Sequence, residues 1–269
     1  MRSRDLFCHY RHLCTQALTV VDVETTGACL PGERVIEVSI LRASLEQGIL
    51  DHRVWLLNPG MALPPAIVRL TGITPEMVAQ GSDPATVWPE IRADLESGIL
   101  TAHNLAFDYG FLQMEYRRFG IRFARPKSEQ LCTVQLARLL LPDLPSRSLP
   151  ALVEHFQFQL QGPLVTGGRR SHRAAADTLA CWLLAERLLQ QLCSQPEEEI
   201  LACFRRQWIP VGQAAQILGC SARKARIQME NAGLVARTSR SGAYLYRREE
   251  VEDLADALAE RGFSGELKD

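Results

Sequence analysis

The segment LTVVDVETTG, residues 18–27, decides how this chain is read. Leu18, Val20, Val21 and Val23 form a short, nearly continuous apolar run, the pattern of a buried strand. Asp22 and Glu24 interrupt it two residues apart, so in a strand both carboxylates leave the same face. Two like charges so placed repel, and burial makes each resist ionisation. A divalent cation relieves both effects, and hard oxygen ligands of this kind suit Mg²⁺ or Mn²⁺ better than zinc. A plainer reading also stands: an exposed strand face with incidental acids.

ETTG, at the end of this segment, reads as a tight turn. Arg34 to Arg42 alternates apolar with polar, and Asp51 to Leu57 is rich in Val, Trp and Leu. With the first strand they predict an antiparallel three-strand opening. Pro64 to Leu70 and Thr74 to Ala79 read as short helices, the second with Thr74 as cap and Pro75 at its first position. Ile99 to His103 predicts another buried strand, followed by a helix through Asp108 towards Arg118. Cys132 to Leu140, Leu149 to Phe156 and Ser171 to Leu192 carry helical spacing. Strands followed by strand–helix alternation predict an α/β domain.

Composition bounds the reading. The chain has 269 residues, 46% hydrophobic and 23% charged, with a net charge of −1. Those proportions are ordinary for a globular protein, and no run reaches the ~18 apolar residues of a membrane helix. The first residues are basic but lack the apolar core of a signal peptide. Eight cysteines show no metal-knuckle spacing, which points to reducing cytosol and a cytoplasmic protein. With no global positive field, a nucleic-acid partner has to be met by local basic patches.

Three further groups carry chemistry. Asp108 lies in NLAFDYGFL, where a lone acid is otherwise a cap or salt-bridge partner. His172 and Asp177 are five apart in SHRAAAD, on nearby faces of a helix start; alone, such a His is commonly a surface residue. Together, four carboxylates and an imidazole make a site for two divalent cations beside a base, the chemistry of phosphodiester hydrolysis.

In these residues the chain resembles the DEDDh 3′–5′ exonucleases, the group that includes the proofreading epsilon subunit of bacterial DNA polymerase III. The resemblance rests on D-x-E-T-T-G at Asp22–Gly27, A-H-N-x-x-F-D ending at Asp108, and H-x4-D at His172–Asp177. LTGIT at Leu70–Thr74 and CTVQLARLLLP at Cys132–Pro142 add to it. It implies a ribonuclease H-like mixed sheet flanked by helices. It also implies two Mg²⁺ (or Mn²⁺) held by Asp22, Glu24 and Asp177, with Asp108 contributing directly or through water. His172 would take the proton from the attacking water. DNA is the implied substrate, at single-stranded or frayed 3′ ends, with RNA as the alternative. Thr25 and Thr26 could contact the terminal nucleotide, and His103 and Asn104 could line the cleft or simply close a turn. Arg169 and Arg170 follow two glycines, in a loop that grips phosphate or is merely solvated.

The expected organisation is an N-terminal extension (1–16), the exonuclease domain (17–194), a polar linker (195–207) and a C-terminal module (208–269). In the module, GQAAQILGCSARKARIQMENAG predicts helix, a turn at Gly219, a second helix capped by Ser221, and a stop at Gly233. LVARTSRSGAYLYRR predicts a hairpin turning at Ser241-Gly242, and Glu249 to Ala259 a closing helix. The pattern resembles winged helix-turn-helix modules of the excisionase and MerR type. Residues 221–248 hold seven basic side chains, among them Arg223, Lys224, Arg226 and Arg240, against the single acid Glu230. That stripe suits phosphate contacts, while protein docking and simple solvation remain alternatives. A DNA polymerase is the partner the resemblance implies, although nothing here matches the tail by which the proofreading subunit holds one.

Overall fold

A computed structural model describes residues 1–161, 173–239 and 242–265, without the side chains of 261–265. Two compact units are formed: one from His12–Leu136 with Pro145–Gln191, the other from Met1–Arg11, Ala137–Leu144 and Leu192–Asp269.

In chain order the elements begin with helix α1 (Ser3–Leu13) and the strands β1 (Leu18–Thr25), β2 (Val35–Ser44) and β3 (Gly48–Leu56). Helices α2 (Pro65–Thr71), α3 (Pro75–Ala79) and α4 (Pro84–Glu96) follow, then β4 (Ile99–Ala102) and α5 (Leu105–Arg118). Next come β5 (Gln130–Cys132) and the helices α6 (Thr133–Leu140), α7 (Leu149–Phe156) and α8 (Ala174–Ser194), with α6 from Ala137 and α8 from Leu192 belonging to the second unit. Helix starts follow local chemistry. Thr74 accepts from Met77 N to cap α3 and Asp83 accepts from Ala85 N to cap α4, each with proline at the next position.

The sheet has five strands in the order β3-β2-β1-β4-β5. β1, β2 and β3 pair antiparallel; β4 and β5 add on parallel. The unit is therefore an α/β fold built on a mixed central sheet. β1 sits in the middle and is buried along nearly its whole length, as its apolar run requires.

Strand alternation divides the side chains. Val21 and Val23 join Val38, Ile40, Leu100 and Ala102 in one core with Val87, Trp88 and Ile91 of α4 and Phe111, Leu112 and Tyr116 of α5. There the Tyr116 ring stacks on Phe123 at 5.0 Å, and its hydroxyl donates to Trp88 O at 2.8 Å. Asp22 and Glu24 face away from this core, with Ser39 and Glu37 of β2 as their cross-strand partners.

The second unit includes the amino-terminal turns of α1. It also has α9 (Glu197–Arg205), β6 (Trp208–Pro210), α10 (Val211–Ile217), α11 (Ala222–Asn231), β7 (Arg237–Thr238), β8 (Tyr244–Arg247) and α12 (Arg248–Gly265). Residues 197–205, within the stretch expected as a polar linker, are helical because Ile200 and Phe204 are fully buried. Its small sheet runs β6-β8-β7, over a core of Ile209, Ala214, Ala225, Met229, Tyr246 and Val251. The chain's first residues belong to this unit: Ser3 donates twice to the buried Glu252 carboxylate, at 2.7 and 2.8 Å. No helix among the described residues is long and apolar enough to cross a membrane.

Gly98, which leads into β4, has φ +55°, and a Cβ there would lie 2.5 Å from Ala17 O. Gly98→Ala should therefore cost about 1–3 kcal/mol, read as a lower midpoint in thermal unfolding; an unchanged midpoint would show that this junction relaxes freely.

Candidate active site

The site grows from β1. Its alternation sends Asp22 and Glu24 to one face, and α8 brings Asp177 to them from its first turn. One carboxylate oxygen from each of the three lies within 4.8 Å of the other two. Glu24 is buried, and Asp22 and Asp177 are half-buried.

Asp108 reaches the same region from α5. The β1–β4 pairing ends at Val20 opposite Thr101, which leaves the Val23 N–H further along β1 without a strand partner. Asp108 Oδ1 accepts it at 3.2 Å. Its place in the first turn of α5 suits a negative charge. The entry to α5 is set by Asn104, held at φ 71° and ψ 48°, a left-handed conformation that asparagine tolerates better than most residues.

Crowding these acids has a clear electrostatic signature. Burial pushes the Glu24 carboxyl up to about 8, with Asp177, Glu37 and Asp108 adding to the rise and Arg173 opposing it. Burial likewise drives Asp108 up to about 8, reinforced by Asp177 and opposed by its backbone hydrogen bonds. Asp22 is held well above the ordinary carboxylate range, by burial first and then by Asp108, Asp177, Glu24 and Glu37. Left alone, such a cluster keeps protons at neutral pH. Three converging carboxylate oxygens are hard donors of the kind that fit a divalent cation.

Thr25 Oγ1 donates to Gly27 O at 2.7 Å, and Thr26 Oγ1 donates to Glu33 while accepting from Arg34 N at 2.9 Å. Both hydroxyls thus have partners within the turn. His103 contacts Thr133 Oγ1 through Nδ1 at 2.9 Å and donates from Nε2 to Arg147 O at 3.0 Å. Burial lowers its pKa to about 4, so the ring is neutral and ties β4 to α6 and the α7 approach. Asn104 is exposed. His172, Arg169, Arg170 and Arg240 lie outside the described residues. A groove of about 600 Å³ runs along α5 past Leu30, Met114 and Phe123 and includes none of the carboxylates.

Glu37 and Arg173 were not singled out by the sequence. Glu37 is 1% exposed and sits directly opposite Glu24. Arg173 grips it with Nη2 at 2.6 Å, and Ala174 N donates to it at 2.9 Å. The available signal was an acid inside the apolar run VIEVSIL, and an arginine beside His172.

The family model described as Exonuclease (RNase T) matches residues 19–184. The chain belongs to the RNase T exonuclease family. Among relatives, the PolC-type DNA polymerase III of Oceanobacillus iheyensis is 32% identical over 182 residues, which are 68% of this chain and 12% of that protein. The 3′–5′ exonuclease DinG of Bacillus subtilis is 31% identical over 183 residues, 67% of this chain and 18% of that protein. The chain spans less than a fifth of the length of these two relatives. The fold is shared with E. coli Exonuclease I in complex with a dT13 oligonucleotide, at a TM-score of 0.54 and 19% identity, covering 69% of this chain and 45% of that one. It is shared also with the nuclease domain of 3′hExo, a DEDDh family member bound to rAMP. There the TM-score is 0.53 and the identity 16%, over 67% of this chain and 94% of that one.

The raised carboxyls give a pH prediction. An acid whose folded pKa exceeds its unfolded value stabilises the fold below the unfolded value, about 4, and loses that contribution as pH rises through the folded value. His103, with its lowered pKa, has the opposite sign, so a bare midpoint against pH mixes the two. The difference between Mn²⁺-saturated and chelator-treated protein isolates the cluster. That difference in unfolding midpoint should grow from about pH 5.5 to about pH 8; an equal difference at both ends would contradict the assignment.

Proposed function

We propose that this protein is a metal-dependent exonuclease that removes nucleotides from single-stranded or frayed 3′ ends of DNA. The observation that carries the reading is the convergence of Asp22, Glu24 and Asp177 within 4.8 Å, backed by Asp108 on the β1 backbone. When bound, two Mg²⁺ or Mn²⁺ ions would supply Lewis acidity toward the phosphoryl oxygens and acidify the attacking water. Asp22, Glu24 and Asp177 hold them in this reading, and their mutual repulsion is what cation binding relieves.

Asp108 keeps β1 and the start of α5 in register while adding its charge to the site. His172 accepts the proton of the attacking water, as an imidazole titrating near neutral pH can. The water is the nucleophile, so no covalent intermediate with a side chain arises. Homology to a PolC-type polymerase and to DinG supports DNA as substrate and extends the reading to 3′ ends made by a DNA polymerase. The rAMP bound by 3′hExo makes RNA the competing substrate.

For the second unit we propose a winged helix-turn-helix-like module that brings the chain to nucleic acid. Support comes from two short helices, α10 and α11, joined through Gly219 at φ +63°, with Ser221 accepting from Lys224 N to cap the second. The β7–β8 pair then forms a wing extended by β6. Its cations are not equivalent. Arg226 is paired with Glu230 at 2.7 Å and lies over the Tyr244 ring, while Arg237 and Arg247 lie over Trp208. Arg223 and Lys224, exposed on α11, have no ion-pair partner among the described residues and are the pair best placed for phosphate.

Two experiments test this. Asp22→Asn and Asp177→Asn should each lower release of nucleotides from 5′-labelled single-stranded DNA by at least ~100-fold, in a time course run beside duplex DNA and RNA. Wild-type protein that leaves all three substrates intact with Mg²⁺ or Mn²⁺ would refute the enzyme reading, and faster digestion of RNA would move the substrate class. Arg223→Ala with Lys224→Ala should weaken DNA binding and reduce its salt slope by about 2; an unaltered slope would leave the module without its proposed role.

A further inference from the structure

Glu37 and Arg173 form an ion pair beside Glu24 of the carboxylate cluster. Glu37 projects from β2 on the same face as Glu24, in the register position directly across from it. Its carboxylate takes Arg173 Nε at 3.2 Å to each oxygen and Arg173 Nη2 at 2.6 Å. It also accepts the N–H of Ala174, the first residue of α8, at 2.9 Å. Arg173 in turn closes the first turn of that helix, its carbonyl accepting from Ala176 N at 2.9 Å and Asp177 N at 3.1 Å. One side chain of β2 therefore grips both the residue before α8 and the helix's first free N–H. Asp177 lies in the turn so held, and β2 is the strand that fixes β1, which carries Asp22 and Glu24.

Charge explains why the grip is ionic. A fifth carboxylate, facing Glu24, would add to the repulsion in the cluster, and Arg173 offsets it where it stands. A geometric grip and an electrostatic offset make opposite predictions for cation binding when Arg173 is removed. Loss of a nearby positive charge alone tightens the binding of a divalent cation; loss of the grip loosens it.

We propose that Glu37 and Arg173 are positioning residues that fix the first turn of α8 against the sheet and thereby set Asp177 at the distance from Asp22 and Glu24 that cation binding and turnover require. The proposal rests on the exonuclease reading for turnover, but its test on cation binding does not.

The test uses the full chain and Mn²⁺ as probe. Mn²⁺ affinity is measured by titration calorimetry without nucleic acid, the unfolding midpoint in chelator, and kcat and KM on 5′-labelled single-stranded DNA. Arg173→Ala should weaken Mn²⁺ binding about 10- to 100-fold, the range seen when partners behind metal ligands are removed. It should lower kcat by a similar factor and leave KM within about threefold, with Arg173→Lys recovering part of the loss in both affinity and kcat. The double variant Glu37→Gln with Arg173→Met removes the pair without changing net charge or stranding a buried ion. It serves where Arg173→Ala alone fails to fold, and it should show the same weakening.

Mn²⁺ affinity that is unchanged or tighter in Arg173→Ala, or unchanged in the double variant, overturns the proposal. A wild type that binds Mn²⁺ but digests no nucleic acid overturns the exonuclease reading instead, and affinity still judges the pair.

Discussion

The constraint on which this structure depends is the repulsion among carboxylates gathered around one buried strand. β1 supplies Asp22 and Glu24 from a run otherwise made of Leu and Val. α5 and α8 each deliver one more acid from a first helical turn. Burial and proximity push Glu24 and Asp108 up to about 8 and Asp22 well above its ordinary range. A fold selected for stability alone would disperse such a cluster. Here the mixed sheet, the ending of the β4 pairing at Val20 and the two helix starts all serve to concentrate it. Strongly perturbed groups of this kind mark functional sites.

The surrounding structure restrains what the repulsion would otherwise displace. Asp108 is bound to the Val23 N–H, so moving it away costs a backbone hydrogen bond. Glu37 takes the start of α8, and its own charge is offset by Arg173. On β2's neighbouring loop, Thr26 and Glu33 close the turn after β1, and Arg34 pairs with the buried Glu115 at 2.8 Å. His103 shows the contrasting use of a titratable group: half-buried, with both nitrogens occupied and neutral across the physiological range, it joins elements together.

Much of the architecture was legible in the sequence because its signals are local. The run Leu18–Val23 interrupted at Asp22, the alternation of Arg34–Arg42 and the Thr74-Pro75 start each depend on residues within one element. The convergence of Asp22, Glu24 and Asp177 was legible because the motifs occur in a recognised order. What escaped the sequence reading depends on pairing between distant elements. Glu37 looks like one polar residue in an alternating strand until β2 is set against β1 and its carboxylate meets residue 173. The turns of Thr25 and Thr26, and both nitrogens of His103, find their partners only once the chain is folded. Residues 197–205 read as polar because of three consecutive glutamates, whereas Ile200 and Phe204, four apart, supply the buried stripe of a helix.

The central claim is that these carboxylates form a cation centre. The most direct measurement is the anomalous scattering of Mn²⁺ in crystals grown with the ion and a nucleoside monophosphate. Density is expected between Asp22, Glu24 and Asp177, about 2.0–2.3 Å from their oxygens. No density there at saturating Mn²⁺, with the carboxyls instead hydrogen-bonded to one another through retained protons, would contradict it.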